Sequence, residues 1–316
     1  MNLIKRFLLL FIILTAFSLS GCEQQRNMQA SESQEWMSKL SNSFSGVYSD
    51  WDTEFFYFIN NDYSLCKSDL SAVTSEQDYT KMDSFTILIE HVSSFSIHEN
   101  TIIFTQNNED GIFYSDLEGE NIVCLTSTAC REFVVYEGSI FFKDGHGNIF
   151  LMDLESEKLT NLYAGTSPKN IFPIEDFLLF IDSQDDSSEI FILSLKTGVV
   201  EMITSKYDVH RFFVFEEKVY FLSFKDGLYN ICKKSLEDFT INEITTDSMI
   251  PSASFIFFKD NIIFSDPQAV MGTSAINLNT GEIEKFTSTA FQAIFVVSDN
   301  LIGLRLGSMQ IIDFPY

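Results

Sequence analysis

Basic residues are scarce in this chain: 20 Lys and Arg stand against 45 Asp and Glu, a formal charge of −25 over 316 residues. So negative a surface repels phosphate backbones, which excludes general nucleic-acid binding. Cysteine is rare, five in all, and none falls in a C-x-x-C pair, so zinc-ribbon and thioredoxin chemistry is excluded. No G-x-S-x-G elbow, H-E-x-x-H pair, P-loop or dinucleotide fingerprint occurs. The glycine-bearing run DGHGNIF at 144–150 reads as a hairpin turn. The four histidines, His91, His98, His146 and His210, are scattered rather than grouped as metal ligands. The acidic runs NNEDG (107–111) and SQDDSSE (183–189) lack EF-hand spacing and read as solvated turns. No catalytic set, metal or other cofactor is therefore expected.

Phenylalanine is what the chain has in excess: 33 residues, against 2 Trp and 5 Pro. With 45% hydrophobic residues the chain can build a sizeable core. Abundant Phe with little helix-type charge patterning leans towards β-structure.

The N-terminus carries a different signal. Lys5 and Arg6 precede an apolar stretch from Phe7 to Phe17, too short to span a bilayer comfortably. Leu19–Ser20–Gly21–Cys22 follows, and this order resembles the lipobox of bacterial lipoproteins. The resemblance implies a signal peptide at 1–21 and Cys22 as the lipidated new N-terminus, holding the chain on the extracytoplasmic face of the cell membrane. Removing 1–21 leaves 18 basic residues against 45 acidic ones, a charge of −27. Anionic headgroups would repel such a body, so attachment must come from acyl chains rather than a basic patch. Residues 22–45 read as the lipidated Cys and a polar tether, in which Ser31 and Gln34 could cap a short helix carrying Trp36, Met37 and Leu40. Of the remaining cysteines only Cys124 and Cys130 lie close, with five residues between them; they read as strand residues, although an exported location also permits a disulfide.

From residue 46 onward the sequence repeats at about 40 residues. The triplets Ile102-Ile103-Phe104, Ile140-Phe141-Phe142, Leu178-Leu179-Phe180, Val219-Tyr220-Phe221 and Ile262-Ile263-Phe264 end 38, 38, 41 and 43 residues apart. Most follow a polar turn such as Glu99-Asn100 or Glu137-Gly138, and each has an aromatic partner about nine residues upstream, among them Phe95, Phe133, Phe172 and Phe213. Downstream of the triplets stand runs such as IFYSDLEG (112–119) and IFLMDLES (149–156), then a fourth run such as NIVCLTS (121–127). Four short half-apolar strands per 40 residues is the pattern of β-propeller blades. The expected fold is an all-β propeller over 46–316, of four-stranded antiparallel blades. Seven blades are preferred, with six as the alternative, and residues near 35–50 are expected to complete the last unit, which has room for three strands. An insertion over 71–90 lengthens the first unit.

The unit with its D-L-x-G turn and L-T ending, best seen in GIFYSDLEGENIVCLTS at 111–127, resembles the repeats of an uncharacterised exported lipoprotein family. That family's domain is similar to the propellers of low-density-lipoprotein receptors. The Tyr-Trp-Thr-Asp signature of the receptors is missing from this chain, and Gly-His and Trp-Asp occur once each, at Gly145-His146 and Trp51-Asp52, without the repeat spacing of WD40 units. With no catalytic constellation and short repeat loops, the expected function is a non-enzymatic binding scaffold for a protein, peptide or glycan. The alternatives are a propeller enzyme acting on extracellular or cell-wall carbohydrate, and a structural subunit of an envelope complex.

In a propeller the segment before each innermost strand lies at one mouth of the central channel. Here those segments carry Arg131, Lys169, His210, Arg211 and Gln292: two Arg, one Lys and one His beside a polar Gln in a strongly acidic chain. These five residues are expected to ring one channel mouth and to attract an anionic or polar ligand.

Overall fold

The computed structural model describes residues 49–60, 62–71, 85–130, 132–184, 187–205, 207–215, 218–225, 228–236, 241–244, 254–265, 272–287, 293–305 and 308–312, together with Lys39. They form antiparallel sheets in chain order. The first is β1 (Ser49–Trp51), β2 (Phe55–Ile59), β3 (Leu65–Asp69) and β4 (Thr86–Ile89). The second is β5 (Val92–His98), β6 (Thr101–Gln106), β7 (Ile112–Asp116) and β8 (Val123–Thr126). The third is β9 (Phe133–Tyr136), β10 (Ser139–Lys143), β11 (Asn148–Asp153) and β12 (Leu159–Ala164). The fourth is β13 (Lys169–Ile174), β14 (Phe177–Gln184), β15 (Ser187–Ser194) and β16 (Val200–Met202). The fifth is β17 (Asp208–Phe215), β18 (Lys218–Lys225), β19 (Leu228–Ser235) and β20 (Ile241–Glu243). The sixth is β21 (Ser254–Phe258), β22 (Asn261–Ser265), β23 (Thr273–Asn277) and β24 (Ile283–Thr287). A last sheet has three strands among the described residues: β25 (Ala293–Val297), β26 (Asn300–Arg305) and β27 (Ser308–Ile312).

Each four-stranded sheet is an up-and-down meander, which is the blade of a propeller. The repeat triplets all fall on second strands, and their geometry explains why three apolar residues stand in a row. Successive side chains on a strand point to opposite faces. Ile102 and Phe104 pack into the seam between the first and second blades, and Ile103 packs into the next seam. Ile140 and Phe142 share that second seam while Phe141 enters the third. Leu178 and Phe180 fill the third, and Leu179 the fourth. A second strand is buried on both faces, so it needs a continuous apolar run rather than an alternating one.

Phe crosses the strands in register. Phe104 lies opposite Phe113, Phe142 opposite Phe150 and Phe180 opposite Phe191, with ring centroids 5.7, 5.4 and 5.8 Å apart. Such a pair adds about 0.5–1.5 kcal/mol beyond the burial of its area.

The turns also repeat. Inner and second strands are joined by two residues at 99–100, 137–138, 175–176, 259–260 and 298–299. Glu99, Glu137, Glu175, Lys259 and Ser298 all take positive φ at the first turn position, between 45° and 53°. Glu137 and Gly138 are both positive, the requirement of a type I′ turn, whose twist matches that of the strands. Where the third strand ends, beside these inner hairpins, the D-L pattern has two jobs. Asp116 Oδ1 accepts from the backbone N–H groups of Glu118 and Glu120, and Asn277 Oδ1 from those of Asn279 and Thr280, closing the turn. The Leu that follows donates its N–H to the inner hairpin: Leu154 to Gly138, Leu195 to Asp176 and Leu278 to Asp260, at 2.8–3.0 Å. Its side chain enters the apolar seam.

The fourth strands carry a bulge towards the end of their pairing. Leu88, Leu125 and Leu162 are the extra residues, and each packs against the core of its seam.

Six sheets are complete four-stranded blades, the number held as the alternative; the three-stranded sheet stands between the sixth blade and the first. Trp51 and Phe56 of the first blade share one apolar cluster with Ile256 and Ile263 of the sixth blade and Val296 and Leu301 of the last sheet. The ends of the strand array therefore meet in a common core. They do not meet as the sequence suggested. Ser49–Trp51 pairs with β2, because the first unit supplies its own inner strand, and Lys39 is helical rather than extended. The other residues of 35–48, with Ser31 and Gln34 and the whole of 1–21, lie outside the described residues.

Lys39 is anchored at the C-terminal end of β1. Its amine lies 2.9 Å from Asp50 Oδ1, donates to the Trp51 carbonyl at 2.6 Å, and sits 4.9 Å from the centre of the Trp51 ring. Asp50 is buried, and its Oδ2 accepts the N–H of Ile97 on the second blade at 2.7 Å. Cys66, Cys124 and Cys130 are thiols; burial pushes Cys66 up to about 11 and Cys130 up to about 12, so both are poor nucleophiles. Among the described residues no helix is long and apolar enough to cross a membrane.

Candidate functional site

The inner strands all begin at the same end of the ring, where the hairpins between second and third strands also lie. Several of these beginnings are irregular. Pairing shifts between Val92 and Ser94 on β5, between Lys169 and Phe172 on β13, and between Val209 and Arg211 on β17. A bulge bends its strand and re-aims the side chains beside it. Asn170, inside the β13 bulge, has a φ of 51°. The bulges on β13 and β17 occur where the sequence carries Lys169, His210 and Arg211.

These three residues come together across two blades. Lys169 opens β13, and its amine is held below the usual lysine range chiefly by burial and further by the charge of Lys143, against the pull of Asp208. His210 is lowered chiefly by burial, with Lys169 and Arg211 acting in the same direction and Asp208 against them. Its Nε2 lies 3.7 Å from Asp208 Oδ2. At neutral pH the imidazole is therefore uncharged, while Lys169 and Arg211 supply the positive charge. Lys143 in turn lies 3.9 Å from Glu132 at the start of the third blade.

Arg211 has no carboxylate at ion-pair distance among the described residues, and its Nη1 is buried without a hydrogen-bond partner among them. A buried donor left unmade is costly, so it marks a group awaiting an acceptor. His210 stands edge-on to the rings of Tyr229 and Phe224, with centroids 5.1 and 6.0 Å away, and those two rings are 4.9 Å apart. The result is a cationic spot against an aromatic wall.

Of the five expected mouth residues, Lys169, His210 and Arg211 are brought together. Arg131 and Gln292 lie outside the described residues, as does Cys22. Sequence reading missed Asp208, Phe224 and Tyr229. Asp208 stands two residues before His210, and Tyr229 follows the hairpin facing the start of β17; only the register of β17–β18–β19 places the aromatic pair against His210.

A second polar cluster lies at the same end, between the third and fourth blades. Asp182 is 2% exposed and accepts four hydrogen bonds: from the Tyr163 hydroxyl at 2.9 Å and from the N–H groups of Thr166, Ser167 and Ser183 at 3.1, 2.7 and 2.8 Å. Glu189, also buried, is directly opposite Asp182 on β15. The carboxylate of Asp182 is spent on fixing the connection between two blades, which leaves it no free lone pair for acid–base chemistry. Among the described residues no group of three or more His, Cys, Asp or Glu is arranged to hold a metal ion.

No protein-family model matches the chain, and no curated protein matches it. Solved structures do. The extracellular domain of BT4673 from B. thetaiotaomicron is similar over 84% of this chain and 40% of that one, with 12% identity and a TM-score of 0.60. The computationally designed Ika8 protein is similar over 85% of this chain and 96% of its own, with 10% identity and a TM-score of 0.55. A puromycin-hydrolyzing peptidase of Mycobacterium tuberculosis matches over 76% of this chain and 44% of its own, at 10% identity and 0.58. At these identities the likeness is one of fold. It places an extracellular domain and a peptidase among the neighbours of this propeller.

Proposed function

We propose that this chain is an extracytoplasmic lipoprotein, held to the membrane through Cys22, whose propeller is a non-enzymatic scaffold binding a protein, peptide or glycan. The lipobox order at 1–22 and the likeness to an extracellular domain support the location. The observation that carries the binding reading is the cluster of Lys169, His210 and Arg211, drawn together from the beginnings of two inner strands and left with a buried donor unmet among the described residues. We read the three-stranded sheet as a seventh, incomplete blade, supported by the core it shares with Trp51 and Phe56. Membership in the exported lipoprotein family belongs to the same reading and rests on the repeat unit at 111–127.

The test is a binding screen of the full-length lipidated chain in vesicles against arrays of peptides and oligosaccharides. Asp208→Trp blocks the mouth, whereas Glu175→Trp places the same bulk at the opposite ends of the inner strands. Binding lost only in Asp208→Trp supports the scaffold and its face. Binding unaffected by Asp208→Trp, or hydrolysis of any array member, overturns it.

A further inference from the structure

Resting on the mouth as the binding face, we infer that Lys169, His210 and Arg211 form a site for an organic carboxylate. Its carboxylate group meets Arg211 and Lys169, and its carbon body lies on the rings of Phe224 and Tyr229.

Charge comes first. Arg211 and Lys169 bring two positive charges and Asp208 one negative charge, with His210 neutral. Lys143, which also acts on Lys169, is balanced by Glu132 at 3.9 Å, so the local surplus is one positive charge, which a single carboxylate balances and a phosphate dianion overshoots. Shape comes second. The guanidinium is a planar fork that meets a carboxylate through two parallel N–H donors. Its Nη1 is one such donor, buried and unmatched among the described residues. Asp208 does not fill this role, since it stands 3.7 Å from His210 and Tyr229 is the electrostatic neighbour of Arg211. The third argument is the wall. An inorganic anion has no use for two tilted aromatic rings 4.9 Å apart, whereas the carbon body of an organic acid covers them and removes apolar area from water.

The placement follows from the fold. Lys169 is the first residue of its inner strand and Arg211 the fourth of the next. The β17 bulge at His210 shifts Arg211 to lie opposite Leu222, whereas simple register from the Val209–Ser223 pair would put it opposite Phe221. A regular strand would reverse the sides on which the residues before and after the bulge project.

Calorimetric titration of the full chain tests this with benzoate, its neutral isostere benzamide, inorganic phosphate, glucuronate and N-acetylaspartate. Benzoate should bind and benzamide should bind at least about tenfold more weakly, since only the former carries a charge and two oxygen acceptors for the guanidinium fork. Glucuronate and N-acetylaspartate separate a sugar acid from a peptide-like acid as the natural source; the tighter of the two names it. Arg211→Gln should weaken benzoate by about tenfold or more. Because Arg211 is partly buried and its variant could unfold, Lys169→Gln at the strand end is the second variant, with a loss of about threefold or more and an unchanged melting temperature. Equal binding of benzoate and benzamide, phosphate binding tighter than every carboxylate, no binding by any probe, or unaltered binding in a folded Lys169→Gln variant overturns the inference. If carboxylates fail while an array ligand is still displaced by Asp208→Trp, the carboxylate site falls and the scaffold stands. If carboxylates bind while the array is blank or insensitive to Asp208→Trp, the reverse holds.

Discussion

The hydroxyl of Tyr163, on the outer strand of the third blade, donates to the carboxylate of Asp182, on the second strand of the fourth, across 2.9 Å. Three backbone N–H groups converge on the same carboxylate. Asp182→Ala strips four donors of their acceptor at once and should lower stability by about 3 kcal/mol or more in urea unfolding. Tyr163→Phe removes one donor and should lose about 1 kcal/mol. An Asp182→Ala variant within 0.5 kcal/mol, on the order of an ordinary surface change, would show that the cluster holds nothing.

The same contact sets an alkaline limit. Burial first, and then the neighbouring carboxylate, push Tyr163 from 10.0 up to about 12. The unfolded chain therefore gives up this proton before the folded one does. The contribution is fully present below pH 10 and is lost as pH rises from 10 through about 12. Tyr163→Phe should flatten the fall in stability across that window, read by denaturant midpoints at successive pH values.

Gly165 is fixed by crowding rather than by backbone angle. A Cβ there would lie 2.1 Å from Asp182 Oδ2 and 2.3 Å from Tyr163 Cε1. Gly165→Ala should lower stability by about 1–3 kcal/mol. Gly145, with nothing within 4 Å of its Cβ position, is the control, and Gly145→Ala should stay within about 0.5 kcal/mol of the parent. Equal effects of the two substitutions would contradict the packing described for the third seam.

His210 gives the mouth a pH dependence of opposite sense. It faces Asp208, Lys169, Arg211 and the ring of Tyr229, and burial holds it below 6.5. The unfolded chain takes up this proton first as pH falls, so the stability contribution is full above about 6.5 and declines below it. A bound carboxylate favours the protonated ring, so benzoate affinity should rise as pH drops through the His210 titration, and His210→Gln should abolish that rise. Affinity that is flat with pH in the parent chain would exclude a role for the imidazole.

Much of this fold is legible in the sequence. The triplets became second strands because a strand sandwiched between two neighbours needs apolar residues on both faces, and few other settings tolerate Ile-Phe-Phe beside a polar turn. Glu137-Gly138 announced its turn through the glycine. Asp116-Leu117 and Asp153-Leu154 were visible as a motif, but not the N–H that Leu154 sends to the Gly138 carbonyl, since that contact joins segments with 15 residues between them. Bulges escaped notice altogether. Nothing in DVHRFF marks His210 as the extra residue, because a bulge is a mismatch between two strands and has no signature in one. The acidic run at 183–189 reads as a solvated turn, yet Glu189 is buried; the hairpin continues as strand to Ser187, and period-2 alternation carries Glu189 inward beside Asp182.

Cys22 should be required for acylation. Cys22→Ala should block incorporation of labelled palmitate and leave the signal segment uncleaved, both seen by gel mobility and radiography. Labelling equal to that of the parent chain would exclude the lipobox.

Lys39 and Asp50 give a sharper test of how the N-terminal segment is held. Asp50→Ala removes the partner of Lys39 and the acceptor for the Ile97 and Trp51 N–H groups, and should destabilise the ring by about 2–4 kcal/mol. Lys39→Met should spare the backbone acceptors and lose about 1 kcal/mol or less. Trypsin cutting after Lys39 should be slow in the parent chain and fast in Asp50→Ala at temperatures where the ring is still folded.

That contact also decides how the molecule would bear a load. A pull delivered through Lys39 arrives at Asp50 and Trp51, at the hub, not at an outer strand on the rim. Asp50 passes it through the Ile97 N–H into a second blade, so tension is shared across a seam before any hairpin begins to peel. The ion pair then acts as a fuse: it should part under shear first, leaving the blades and the opposite mouth undistorted.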